Sequence, residues 1–423
     1  MPRCIVATRS KTSEQHDPVA TFGDALYHGV VMSEPFVFDP PTRILLGPGP
    51  SEVPARVLSA LARPTVGYMD PSYVALMQQL RGLLRMVFDT KNDATLAITG
   101  AGTAAMESAV FNALEPGEKA LVCVHGYFGD RLRQIMERAG ADVVVVESPW
   151  GSPTNADDVK AALEHEKNIK VVGIIHGETS TGVQQDIPEI AKLAHDHGAL
   201  LIVDTVASLG GATFATDDWG ADIVYTGAQK CISAVPGFSP ITFSDRAMDK
   251  IRNRGSSCRS WYLDVLLNLT YWDTPPKYHH TGPINLAYAL YEGLRIIDEE
   301  GLANRTARVK KTAEAMWAGF EAMGLSLLVA PEHRLPTLTT VCVPDGVDEA
   351  KVRAYLMQQH GIEIVGGLGP LAGKVWRVGL MGASCQPRHI IVLLAAMEAA
   401  LKAQGVSAPS GAGVATFTER LGA

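Results

Sequence analysis

No apolar run in this chain reaches the roughly 18 residues that a membrane-spanning helix needs, so no membrane partner is expected. Basic clusters are missing too: 37 Lys and Arg against 45 Asp and Glu give a net charge of −8, and no basic stripe suited to nucleic acid stands out. The six cysteines (Cys4, Cys123, Cys231, Cys258, Cys342 and Cys385) form no CxxC pair, and no paired His spacing of the zinc kind accompanies them. That scatter fits a reducing, cytoplasmic setting and no metal. The first residues lack the continuous apolar core of a secretory signal, although MPRCIVATRSK is basic and acid-free in the manner of a transit peptide. A leader or arm over residues 1–41 is the reading here, with Met32 as an alternative start. The ending LGA is not a peroxisomal signal.

What remains is a folded chain of 423 residues, 47% hydrophobic and 19% charged, long enough for two or three domains. After a Pro-punctuated arm ending at Pro54, the first clear helix is expected behind Asp70, an N-cap with Pro71 at the first helical position. Short β-branched runs then alternate with helical stretches. Strands are expected over residues 95–98, 120–124, 142–146, 171–175, 200–203, 223–225 and 240–243, which reads as an α/β fold with a mostly parallel seven-stranded sheet. Beyond a long helical region the pattern changes to an α+β kind, with LSLLVAP, TLTTVCVP, EIVGG and KVWRVGL as strand candidates. The expected division is a large domain over 42–303, a smaller one over 304–405, and a disordered Ser/Gly/Ala-rich tail over 406–423.

The candidate chemistry lies at strand ends, where ligands of open α/β sheets gather. LLIVD delivers Asp204 and IVYTGAQK delivers Lys230. TGAGT (Thr99 to Thr103) joins a strand to a helix N-terminus, a place for one phosphate; it lacks the third glycine of a dinucleotide loop and the Lys of a P-loop. HGYFGDR puts Phe128 at the same end of the sheet, and IIHGETSTG adds the hydroxyls of Thr179, Ser180 and Thr181. Gly47 and Gly49 allow the arm's backbone to approach something closely. Together these groups suit a phosphorylated aromatic aldehyde.

LLGPGPSEVP, TGAGTAAMES, HGETSTGV, LIVDTVASLGG, YTGAQK, YHHT, GGLGP and WRVGLMG, in this order, resemble the class V, fold-type I pyridoxal phosphate aminotransferases. The resemblance implies the fold of those transferases, pyridoxal 5'-phosphate as cofactor, and small amino acid and 2-oxo acid substrates. It implies Lys230 as the residue bonded to the cofactor and Asp204 as partner of the pyridine nitrogen. Phe128 takes the stacking position, where relatives often have Trp, and Val206 covers the other ring face. Ala101, Gly102 and Thr103 form the phosphate loop, with Gln229 also at the phosphate. Thr179 reaches the ring oxygen or the substrate, and Arg377, with Gly47 nearby, binds the substrate carboxylate. Tyr278 and Thr281 reach the neighbouring subunit's phosphate, which implies a homodimer. The activity implied is transfer of an amino group from alanine or serine to glyoxylate or another small 2-oxo acid. A ureidoglycine:glyoxylate or another pyruvate-dependent enzyme is the alternative. A cysteine desulfurase fits less well, because Phe128 and Gln229 stand where that group has His.

Overall fold

The computed structural model describes residues 38–406 and 409–422, so most of the proposed leader lies outside the described residues. Seven strands form the central sheet: β1 (Ala94–Thr99), β2 (Lys119–Val124), β3 (Asp142–Glu147), β4 (Ile169–Ile175), β5 (Leu200–Asp204), β6 (Ile223–Tyr225) and β7 (Phe238–Phe243). Their order across the sheet is β1-β7-β6-β5-β4-β2-β3. β2 through β6 pair in parallel, while β7 runs antiparallel to both β1 and β6. All five residues of β5 and all three of β6 are buried, which is why these strands read as unbroken apolar runs rather than alternating ones. β3 lies at the edge and is correspondingly more exposed.

Helices carry the chain back across the sheet. α1 (Pro71–Phe88) is capped by Asp70, whose side chain accepts from the amide of Ser72, and carries Pro71 in its first turn. α2 (Gly102–Ala113) and α3 (Tyr127–Arg138) start directly beyond β1 and β2, so both N-termini lie at strand ends. A seven-residue helix, Ala55–Leu61, also stands where the sequence suggested none before Asp70; it buries only Val57 and Ala60, too few for a visible period. The later helical region is two helices, α4 (Ile284–Glu300) and α5 (Leu302–Ala322), separated by Gly301 at φ +81°.

Two large hydrophobic cores are distinct, with a small third cluster of Ala207, Ala212, Cys231, Leu335, Leu338 and Met381. The first surrounds the central sheet. The second gathers Leu46, Val309, Phe320, Trp376, Leu393 and Phe417 around α5, α6 (Pro387–Ala403) and a small antiparallel sheet. That sheet has β8 (Leu338–Cys342), β9 (Val365–Gly366) and β10 (Val375–Gly379) in the order β8-β10-β9. LSLLVAP is no full strand: it meets β8 at a single bridge, Leu327 to Val341, before the turn at Pro331.

The disordered tail is a further correction, since Ala412–Gly422 forms a helix, α7. A Cβ on Gly319 of α5 would sit 3.0 Å from the carbonyl oxygen of Gly413, so the absence of side chains at both positions lets the two backbones meet. Phe417 is fully buried in the second core, a contribution of roughly 1.5–3 kcal/mol.

Candidate active site

Lys230 follows β6 in a tight turn, with its amide bonded to the carbonyl of Gly227 at 3.3 Å. The arm crosses directly over it: Lys230 Nζ donates to the carbonyl of Pro48, and Ser51 Oγ donates to the carbonyl of Lys230 at 2.7 Å. Gly49 lies there at φ +111°, and any Cβ would collide with the lysine side chain. This is the close approach anticipated for the glycines of the arm. Burial lowers the Lys230 ammonium to about 8, and the nearby charges of Arg377 and Arg131 act in the same direction.

Asp204 closes β5 and is 3% exposed. Its Oδ1 accepts from the amide of Val206 at 2.7 Å. Burial nevertheless raises its carboxyl to about 7, and the negative Glu178 adds to the rise. Both groups line one cavity of about 210 Å³, together with Ala101, Gly102, Thr103, Phe128, Thr179, Val206 and Gln229. Nine of the residues expected at the cofactor therefore converge. A wider groove of about 730 Å³ between Trp219 and Trp317 contains none of them.

The floor of the cavity suits an anion. Gly100 turns the chain at φ +136°, where a Cβ would strike Ala104. The N-cap of α2, Ala101, offers no capping side chain; the Ala104 amide is bonded to the Ala101 carbonyl at 2.7 Å, and the amides of Gly102 and Thr103 are left open at the positive end of the helix dipole. Thr103 Oγ1 accepts from Arg131 Nη1 at 3.3 Å. A Cβ on Gly102 would lie 3.2 Å from Val206 Cγ2, so this loop and the residue expected over the ring pack together. Gln229 Oε1 is buried with no partner among the described residues. An open helix terminus, a desolvated amine, a buried carboxyl and an aromatic ring in one cavity fit pyridoxal phosphate.

Arg377 projects from β10 and is 3% exposed. It stands next to the cavity rather than in its lining: Nε donates to the carbonyl of Gly366 at 2.8 Å and Nη1 to that of Thr179 at 3.1 Å. Burial lowers the guanidinium to about 10, partly offset by Glu178, so it stays cationic at neutral pH. Gly47 lies outside the lining as well. Its neighbour Leu46 donates to Glu363 O at 2.9 Å and accepts from Gly379 N at 2.8 Å, which seats the arm against β10. Tyr278 is 60% exposed and Thr281 is exposed, both away from the cavity.

Sequence reading missed two groups. Glu178 lies inside the quoted HGETSTG but was passed over for its hydroxyl neighbours. Arg131 lines the cavity with its guanidinium carbon 4.8 Å from the centroid of the Phe128 ring; HGYFGDR contains it, and its place three residues after Phe128 on α3 was the available signal.

Comparison with known proteins agrees with this geometry. The family described as Aminotransferase class-V matches residues 45–379. An alanine–glyoxylate aminotransferase from Callithrix jacchus is 42% identical over 366 residues, covering 86% of this chain and 88% of that protein. The crystal structure of an alanine–glyoxylate aminotransferase from Nostoc sp. superposes with a TM-score of 0.85 at 46% identity, covering 87% and 97% of the two chains. That of the Bacillus subtilis ureidoglycine–glyoxylate aminotransferase gives 0.89 at 36% identity, covering 91% and 100%.

Proposed function

The chain belongs to the class-V aminotransferase family, and we propose that it moves the amino group of alanine or serine to glyoxylate or another small 2-oxo acid. The observation that carries this is the cavity itself: a lysine amine lowered to about 8 and a carboxyl raised to about 7 share it with an uncapped helix N-terminus and an aromatic ring. The similarity to alanine–glyoxylate enzymes supports the substrates.

When bound, pyridoxal phosphate supplies the electron-withdrawing ring that lets an amino acid release its α-proton. The protein's part follows from its residues. Asp204, as a carboxylate, holds the positive charge of the ring nitrogen. An opposite charge at about 4 Å is worth about 4 kcal/mol at an effective dielectric of 20, before desolvation is subtracted. Lys230 holds the cofactor, then takes the proton from the substrate α-carbon and returns it, work that an ordinary lysine near 10.4 does poorly at neutral pH. Phe128 and Val206 hold the ring between them. The amides of Gly102 and Thr103, with Gln229, hold the phosphate, and Thr179 meets the ring oxygen. Arg377, steadied through Nε and Nη1, offers its remaining edge to the substrate carboxylate beside Gly47.

A homodimer belongs to this reading, with Tyr278 and Thr281 serving the partner's phosphate. Their exposure, and that of Trp261 at 61%, supports it. No described helix is long and apolar enough to cross a membrane. We place the protein in the cytoplasm because its five described cysteines are all free. The large domain over 42–303 and the small one over 304–405 remain part of the proposal.

The test is to supply the purified protein with glyoxylate and a panel of amino acids and to follow loss of the oxo acid. Turnover with alanine or serine supports the assignment. Turnover only with ureidoglycine moves the protein to the alternative, which the similarity to the Bacillus subtilis enzyme supports.

A further inference from the structure

We propose that Glu178 is a positioning residue that fixes two walls of the site at once: the turn presenting Phe128 and the Thr179 carbonyl that holds Arg377. Glu178 is fully buried on the two-residue strand Gly177–Glu178, which pairs with Val183–Gln184. Its Oε2 accepts from the amides of Phe128 at 3.0 Å and Gly129 at 3.2 Å. Its Oε1 accepts from the amide of Ser180 at 2.9 Å and from Ser180 Oγ at 2.7 Å. Ser180 Oγ accepts in turn from the amide of Tyr127 at 2.9 Å.

These bonds replace a missing cap. α3 begins after Gly126, which has no side chain to offer its first-turn amides, and a carboxylate some 50 residues distant takes that place. The fit is tight, since a Cβ on Gly126 would collide with both Glu178 and Ser180. Phe128, the second residue of α3, is therefore aimed by Glu178. The next residue after Glu178 is Thr179, which lines the cavity and whose carbonyl receives Arg377 Nη1. The negative charge of Glu178 also acts on Arg377 and Asp204. One buried carboxylate thus links the ring wall to the substrate clamp without touching either ligand.

The inference rests on the roles given above to Phe128 and Arg377. It separates from a plain stability role through coupling. Glu178→Met keeps the length but removes both acceptor oxygens, so the amides of Phe128 and Gly129 lose their partner. In the holoenzyme, hydrogen exchange at those two amides is expected to quicken about a hundredfold, while β5 amides stay protected. The Kd for pyridoxal phosphate is expected to rise about tenfold in the wild-type background, and by less than about twofold when Phe128→Leu is already present. If Glu178→Met does not fold, Ser180→Ala replaces it, with about tenfold faster exchange expected at Tyr127 and the same dependence on Phe128. Unchanged exchange at the first turn of α3, or an equal loss of cofactor affinity in both backgrounds, overturns the proposal. Neither readout uses glyoxylate, so failure of the substrate assignment would appear separately, as a loaded wild-type protein without turnover.

Discussion

The cavity floor and the edge formed by Arg377 reach different charge states under similar burial. On the floor, Asp204 rises to about 7 and Lys230 falls to about 8, so each is driven towards its neutral form. At the edge, Arg377 falls to about 10 from a higher starting value and so keeps its charge at neutral pH. The difference separates two tasks. The floor is tuned to change protonation when a cofactor arrives, and the edge is a standing cation for a carboxylate.

Substitutions that remove one side of this contrast have graded effects. Lys230→Ala is expected to lower turnover by about 10⁴-fold or more and to abolish borohydride trapping of the cofactor, checked by stopped assays and mass spectrometry. Asp204→Asn leaves the shape and removes the charge. A fall in kcat of roughly 10²–10³-fold is expected, with a smaller change in substrate KM, from steady-state kinetics. At the edge, Arg377→Lys is expected to raise the amino-donor KM by about tenfold or more through loss of the two-pronged contact, with cofactor affinity unchanged.

A further effect is on stability, and its sign is distinctive. In cofactor-free protein the native state binds the Asp204 proton more tightly than the unfolded chain does. Stability from this group is therefore full below about pH 4 and declines as pH rises through about 7. Asp204→Asn has no such decline, so its Tm should match wild type near pH 4 and exceed it at pH 8. Saturating pyridoxal phosphate should reverse the order, because the ring nitrogen then gives the carboxylate a partner. Equal Tm values at pH 8 would remove Asp204 from the account. Lys230 contributes in the opposite direction, with stability rising between about pH 8 and 10.5.

The same two regions differ in how far the sequence exposed them. Strands buried on both faces, such as β5 and β6, have little choice but to be apolar, and the exposed edge strand β3 still shows a β-branched VVVV run, so all seven strands of the central sheet were legible and charges at their ends stood out. Asp204 and Lys230 were visible for that reason. Glu178 was assigned no role, and Gly49 a close approach without its partner, because what they meet lies far along the chain: about 50 residues for Glu178 and Phe128, and some 180 for Gly49 and Lys230. Around the second core the signals were weaker. α7 carries Val414, Phe417 and Leu421 at helical spacing, yet the Gly and Ala around them masked the period, and the two glycines that let it dock act only as a pair across helices. The strand expected at LSLLVAP met a single bridge for a related reason: apolar content was present, but the pairing edge was not.

The central claim is that burial on the cavity floor, rather than the mere presence of a lysine, prepares Lys230 for its task. The rate at which pyridoxal phosphate becomes borohydride-trappable on Lys230, followed from pH 6 to 11, tests it directly. The account predicts a rise that levels off through an apparent pKa near 8. A profile still climbing towards the ordinary lysine value of about 10.4 would contradict it.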